Sequence, residues 1–169
     1  QVKAFEEEFG KKFELKNVVA LNSGTAALEI AYDICGVKEG DEVICPVLTH
    51  PSSSLPAVRK GAKVIFADLE DDLNVSIEDI KSKITPKTKI LMLNSPSNPT
   101  GSIYSKDELL AIGEVLKGTD IVVLSDEMYE KLIYKGKKFT ATAEVSPDMY
   151  NRTVTINGLS KSVAMTGWR

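Results

Sequence analysis

Histidine is almost missing from this chain: His50 stands alone among 169 residues, beside two cysteines, one tryptophan and four methionines. One histidine and two cysteines form no cluster with metal-ligand spacing, so no metal centre is expected. The cysteines, Cys35 and Cys45, lie in apolar surroundings on a predicted helix end and a predicted strand. They read as buried free thiols rather than a disulfide, which suits a reducing, cytoplasmic setting. No apolar run approaches the roughly 18 residues of a membrane span, so no membrane partner is expected. Positive charge is not in excess either, since 21 Lys and Arg against 24 Asp and Glu give a net charge of -3. That balance lacks the basic footprint of a nucleic-acid binder. Signal peptide, internal repeat and low-complexity tract are all missing, and the chain opens at Gln1 without a methionine, as a processed or excised piece would.

What is present is an alternation of strand and helix. With 43% apolar and 27% charged residues the composition is globular, and the length suits one domain with a real core. The first dozen residues, rich in glutamate and lysine, read as a surface helix. Asn17–Leu21 reads as a short buried strand, and Ser23-Gly24-Thr25 then opens a helix through Tyr32 whose apolar residues recur at helical spacing. Strands are expected at Glu42–Cys45, Ala62–Ala67, Lys89–Asn94, Asp120–Leu124 and Thr153–Ile156. Helices are expected near Ser53–Lys60, from Ser76 with its capping hydroxyl and Asp79 three residues on, and over Ser105–Leu116. Such alternation predicts an α/β fold, a mostly parallel, doubly wound sheet with helices on both faces. Ligands in these sheets sit outside the carboxyl ends of the strands. Asn98, Asp126, Lys161 and the Ser23-Gly24-Thr25 turn each follow a predicted strand, so four candidates fall on one edge.

Each candidate has an ordinary reading and a chemical one. Ser23-Gly24-Thr25 is a helix cap, or a turn whose backbone N–H groups receive a phosphate. Asp126 ends a strand, or is a carboxylate facing a ring nitrogen. Tyr129, three residues on, and Asn98, before a proline, are a packed aromatic and a turn residue, or a pair of donors to one oxygen. His50, in a loop after a strand, could stack on a ring face. Lys161 is a solvated side chain, or an amine in a protected loop able to form a Schiff base with an aldehyde. Arg169, eight positions later and last in the chain, is a terminal side chain or a bidentate phosphate contact. Pyridoxal 5'-phosphate carries both an aldehyde and a phosphate.

Three segments occur together: Asn98-Pro99-Thr100-Gly101, Ser125-Asp126-Glu127-Met128-Tyr129, and Ser160-Lys161 through Met165-Thr166-Gly167-Trp168-Arg169. In this order and at comparable separations they resemble the motifs NPTG, SDEIY and SK…MTGWR of the class I, fold-type I aminotransferases, with Met128 where isoleucine is usual. The resemblance implies a pyridoxal-phosphate large domain. In it Lys161 is the Schiff-base residue and proton shuttle, Asp126 pairs with the pyridine nitrogen, and Asn98 and Tyr129 hydrogen-bond the phenolic oxygen. Arg169 joins the Ser23-Gly24-Thr25 turn on the phosphate. Tyr129 favours transamination; a histidine there would look more like the related carbon–sulfur lyases.

The first half, with Leu21-Asn22-Ser23-Gly24-Thr25-Ala26-Ala27-Leu28, Gly40-Asp41-Glu42-Val43-Ile44 and Gly61-Ala62-Lys63, is more similar to the DegT/DnrJ/EryC1/StrS sugar aminotransferases. There the ring-stacking position falls on His50. An outlying or recombined chain would explain the mixture. The family pattern also implies that residues 1–169 are the core of a large domain without its small domain. The expected activity is amino-group transfer from an amino-acid donor to a keto acid or keto-sugar, in a homodimer. The alternatives are a cofactor-binding piece without turnover and a carbon–sulfur lyase of the same fold.

Overall fold

In the computed structural model, which describes residues 1–134 and 136–168, five strands form one sheet in the order β2-β1-β3-β4-β5. They are β1 (Glu42–Pro46), β2 (Lys63–Ala67), β3 (Thr88–Asn94), β4 (Val122–Asp126) and β5 (Thr153–Ile156), and every pair is parallel. Among the described residues seven α-helices intervene: α1 (Val2–Phe13), α2 (Gly24–Ile34), α3 (Leu55–Arg59), α4 (Ile77–Lys83), α5 (Lys106–Leu116), α6 (Pro147–Arg152) and α7 (Leu159–Ser162).

The central strands are apolar on both faces because both faces are covered. On one side Leu91, Leu93 and Val123 pack with Ile80 of α4, Leu109 and Ile112 of α5 and Met149 of α6. On the other, Val43, Cys45, Ile90, Met92 and Leu124 pack with Leu28, Ala31 and Tyr32 of α2 and Ala57 of α3. Burying one such Leu or Ile side chain contributes about 1.5–3 kcal/mol. This is the doubly wound arrangement expected from the alternation.

The helix starts follow local chemistry. Ser105 Oγ accepts from Glu108 N at 3.2 Å while Glu108 Oε2 accepts from Ser105 N at 2.7 Å, a closed capping box. Ser76 caps α4 through Asp79 N, and Ser23 caps α2 through Ala26 N at 3.2 Å. Helix α6 was not expected from the sequence, although Ser146 caps it and Pro147 opens it. Two other expectations change. Asn17–Leu21 is not a strand: Val19 is 63% exposed, and Ala20 N donates to Glu6 Oε1 of α1 at 2.8 Å. The segment has no neighbouring strand, so its backbone bonds α1 instead. And β4 begins two residues later than expected and includes Asp126 as its last residue.

From β1 the chain runs outward to β2, then crosses back to β3 and onward to β5. The change of direction lies between β1 and β3, which is where such sheets open a crevice at their carboxyl edge.

Candidate functional site

Parallel strands bring five carboxyl ends to one edge: Pro46, Ala67, Asn94, Asp126 and Ile156. Register sets Asn94 beside Asp126 and Asp126 beside Ile156. The loops leaving β1 and β3 carry His50 and Asn98, one on each side of the switch point.

Asn98 and Asp126 are tied through backbone. Asn94 Oδ1 accepts from Asn98 N at 2.7 Å, and Asn94 Nδ2 donates to the Asp126 carbonyl at 3.1 Å. Ser95 N donates to that same carbonyl at 3.0 Å. Gly101, at φ +74°, closes the loop by donating its N–H to Ser97 O at 2.8 Å, a conformation that suits glycine.

Among the described residues the Asp126 carboxyl takes one hydrogen bond, from Met128 N to Oδ1 at 3.1 Å. Burial pushes its pKa above the usual carboxylate range, while the Met128 amide and the neighbouring His50 pull it back. A carboxylate so placed gains from a cation set against it. Glu127, next in sequence, is 2% exposed. Its Oε1 accepts from Ser125 Oγ and from Thr142 N, each at 2.9 Å, and burial raises its pKa too.

Met128 joins two glycines. A Cβ on Gly24 would lie 2.6 Å from Met128 Cε, and one on Gly158 would lie 2.0 Å from Met128 Sδ. The thioether therefore lies between the N-terminus of α2 and the turn that starts α7. Its carbonyl accepts from Ser162 Oγ at 3.2 Å, which holds α7 to the end of β4.

Lys161 rides on that short helix and is exposed, not enclosed in a protected loop as expected. The physical reason is that a one-turn helix after β5 turns it outward from the described core. Ser23, Gly24 and Thr25 form the N-cap and first positions of α2, where amides have no intrahelical acceptor. They follow an extended segment rather than a strand. Thr25 Oγ1 lies 3.2 Å from Ser52 Oγ, which brings that turn to the His50 loop. His50 caps a 3-10 turn, its Nδ1 accepting from Ser52 N at 3.2 Å. Tyr129 stands in the turn after β4, its carbonyl accepting from Leu132 N at 2.8 Å. Arg169 lies outside the described residues. Sequence reading missed Asn94, Glu127 and the two-glycine seat of Met128. A polar Asn94 ending an otherwise apolar strand was the available signal for the first.

Among the described residues no group of three or more His, Cys, Asp and Glu could hold a metal, and no helix is long and apolar enough to cross a membrane. Cys45 is buried and Cys35 half-buried, and burial pushes the Cys45 thiol up to about 12.

The chain matches the family described as Aminotransferase class I and II over residues 2–169. It is 41% identical over 172 residues to the aspartate aminotransferase of Geobacillus stearothermophilus, an alignment that covers 99% of this chain and 43% of that relative. The solved aspartate aminotransferase from Rhizobium meliloti superposes with a TM-score of 0.83 at 32% identity, covering 99% of this chain and 44% of the other. The aromatic aminotransferase from Pyrococcus horikoshii OT3 gives the same TM-score at 31% identity, over 99% and 46%. The chain thus spans less than half the length of these relatives. Because the match runs through both halves, no recombination is needed to account for the sequence. The chain belongs to the class I and II aminotransferases.

Proposed function

We propose that residues 1–169 are the cofactor-binding core of a pyridoxal 5'-phosphate-dependent aminotransferase. The observation that carries this reading is the shared edge on which Asn94 ties the Asn98 amide to the Asp126 backbone carbonyl, and Met128 ties the Asp126 carboxyl to the Lys161 helix. The residues present suit the cofactor. A buried carboxyl with one oxygen held by a backbone amide matches a protonated ring nitrogen. The first amides of α2 and the hydroxyls of Ser23 and Thr25 match a phosphate. When bound, the pyridoxal ring supplies an electron sink for charge developing at the substrate carbon.

Lys161 Nζ would hold the cofactor covalently and would serve as the base that moves a proton. Asp126 would keep the ring nitrogen protonated. Tyr129 and Asn98 would donate to the phenolic oxygen, His50 would stack on the ring, and Arg169 would add a charge-assisted contact to the phosphate. The relatives named aspartate aminotransferases support an amino-acid donor with a keto-acid acceptor. The keto-sugar acceptor implied by the first half's likeness to sugar aminotransferases has no such support. Two unpaired cysteines accord with a cytoplasmic setting, and a homodimer is part of the same reading.

The test is to incubate the chain with pyridoxal 5'-phosphate, reduce with borohydride and locate the modified residue by peptide mass. Label confined to Lys161 is expected. Label spread over surface lysines, or none, removes the reading.

A further inference from the structure

We infer that Asn94 is a positioning residue of this site, fixing Asn98 against Asp126 by using both ends of its carboxamide. The inference rests on the cofactor reading above. Asn94 closes β3 and is 5% exposed, so its polar atoms need partners inside the protein. It has them on two different segments: the Asn98 amide at 2.7 Å and the Asp126 carbonyl at 3.1 Å.

Around Asn98 the loop it steadies has few backbone anchors. Pro96 and Pro99 have no N–H. Ser95 N bonds the Asp126 carbonyl, and Ser97 N and Gly101 N bond within the loop, to Ser102 O and Ser97 O. The amide of Asn98 itself is held by a side chain, that of Asn94. A carboxamide donates at one end and accepts at the other with this reach, a pairing that among other side chains only a neutral imidazole could offer. Aspartate loses the donor, leucine loses both functions, and serine falls short. The asparagine ending the apolar run Ile90-Leu91-Met92-Leu93 thus serves these two hydrogen bonds rather than strand packing.

The consequence is chemical. Asn98 and Asp126 address different atoms of one rigid ring, so their separation must be fixed before the ring arrives. Releasing Asn98 weakens its donation to the phenolic oxygen, which raises that oxygen's proton affinity.

Asn94→Ala is compared with Ile80→Ala, a buried change in α4 of purely structural effect. In the cofactor-free chain, amide exchange by NMR reads the clamp directly. The Asn98 amide is expected to lose protection in Asn94→Ala and keep it in Ile80→Ala. In the loaded chain, cofactor affinity is expected to fall about tenfold, the scale of one hydrogen bond to a positioned group. The pH midpoint of the visible absorbance should move upward. Unchanged Asn98 protection, or an equal midpoint shift in Ile80→Ala, overturns the inference. If Asn94→Ala does not fold, Asn94→Ser is read the same way. A wild-type chain that takes no label at Lys161 overturns the cofactor reading instead, and amide exchange still decides the clamp.

Discussion

Where β3 and β4 end, Asn94, Ser95 and Ser125 are buried and each is hydrogen-bonded, whereas across the site Leu159 and Val163 flank Lys161 in the open. The first region is fixed by strand register and by the need to satisfy polar atoms inside a sheet. The second is a four-residue helix that cannot hold itself and takes its position from Ser162 Oγ on the Met128 carbonyl. One half of the candidate site is thus rigid before any ligand binds. The other is docked onto it by a few contacts, which suits the attachment role proposed for Lys161.

That contrast can be broken most completely at its exposed end. Lys161→Ala should abolish the borohydride-fixed label while leaving the thermal transition of the cofactor-free chain unchanged; a retained label would place the attachment elsewhere. Next in size is the buried end. Leu93→Ala, in the strand beneath Asn94, should cost about 2–5 kcal/mol in urea unfolding. Val163→Ala, at a site 52% exposed, should stay within about 0.5 kcal/mol. Equal losses would erase the distinction.

The seam between the two regions is Met128. Gly158→Ala puts a methyl against its thioether and should cost under about 1 kcal/mol, since the flexible end of Met128 can swing aside, with Met128→Ala removing the loss. Additive losses would mean the two residues do not share that space. Smallest is a pH effect confined to the rigid side. Burial raises the Glu127 pKa above its ordinary 4.5, so the folded chain holds this proton more tightly than the unfolded one. Its contribution is full below the unfolded value and is lost as pH rises through the folded one. Glu127→Gln keeps an acceptor for Ser125 and Thr142 and removes the titration. The stability of Glu127→Gln relative to the wild-type chain should therefore rise as pH climbs from about 4 toward neutrality. Urea unfolding across that range checks it, and a difference that stays constant would contradict it.

Much of the fold was legible because period and caps are local. The continuous apolar run Ile90–Leu93 announced a strand covered on both faces, and Ser76 and Ser105 announced helix starts. Asn17–Leu21 misled because apolar composition implies a strand only where a neighbour supplies hydrogen bonds, and here the partner is Glu6 of α1. Asp126, Asn98 and Lys161 stood out in the sequence as candidates, each following or closing a strand. The long-range partners of Asn94 and Met128 did not, since those bonding atoms lie 32 and 34 residues away along the chain.

The sequence by itself determined the alternation of strands and helices, and with it a parallel sheet, a carboxyl edge and the family motifs set along that edge. Periodicity and capping act within a few residues, so they are written locally. Tertiary structure alone decided the order β2-β1-β3-β4-β5, the pairing of Asn94 with Asp126, the seat of Met128 between two glycines and the exposure of Lys161. Each depends on segments far apart in the chain meeting at one distance, which only the packed sheet sets.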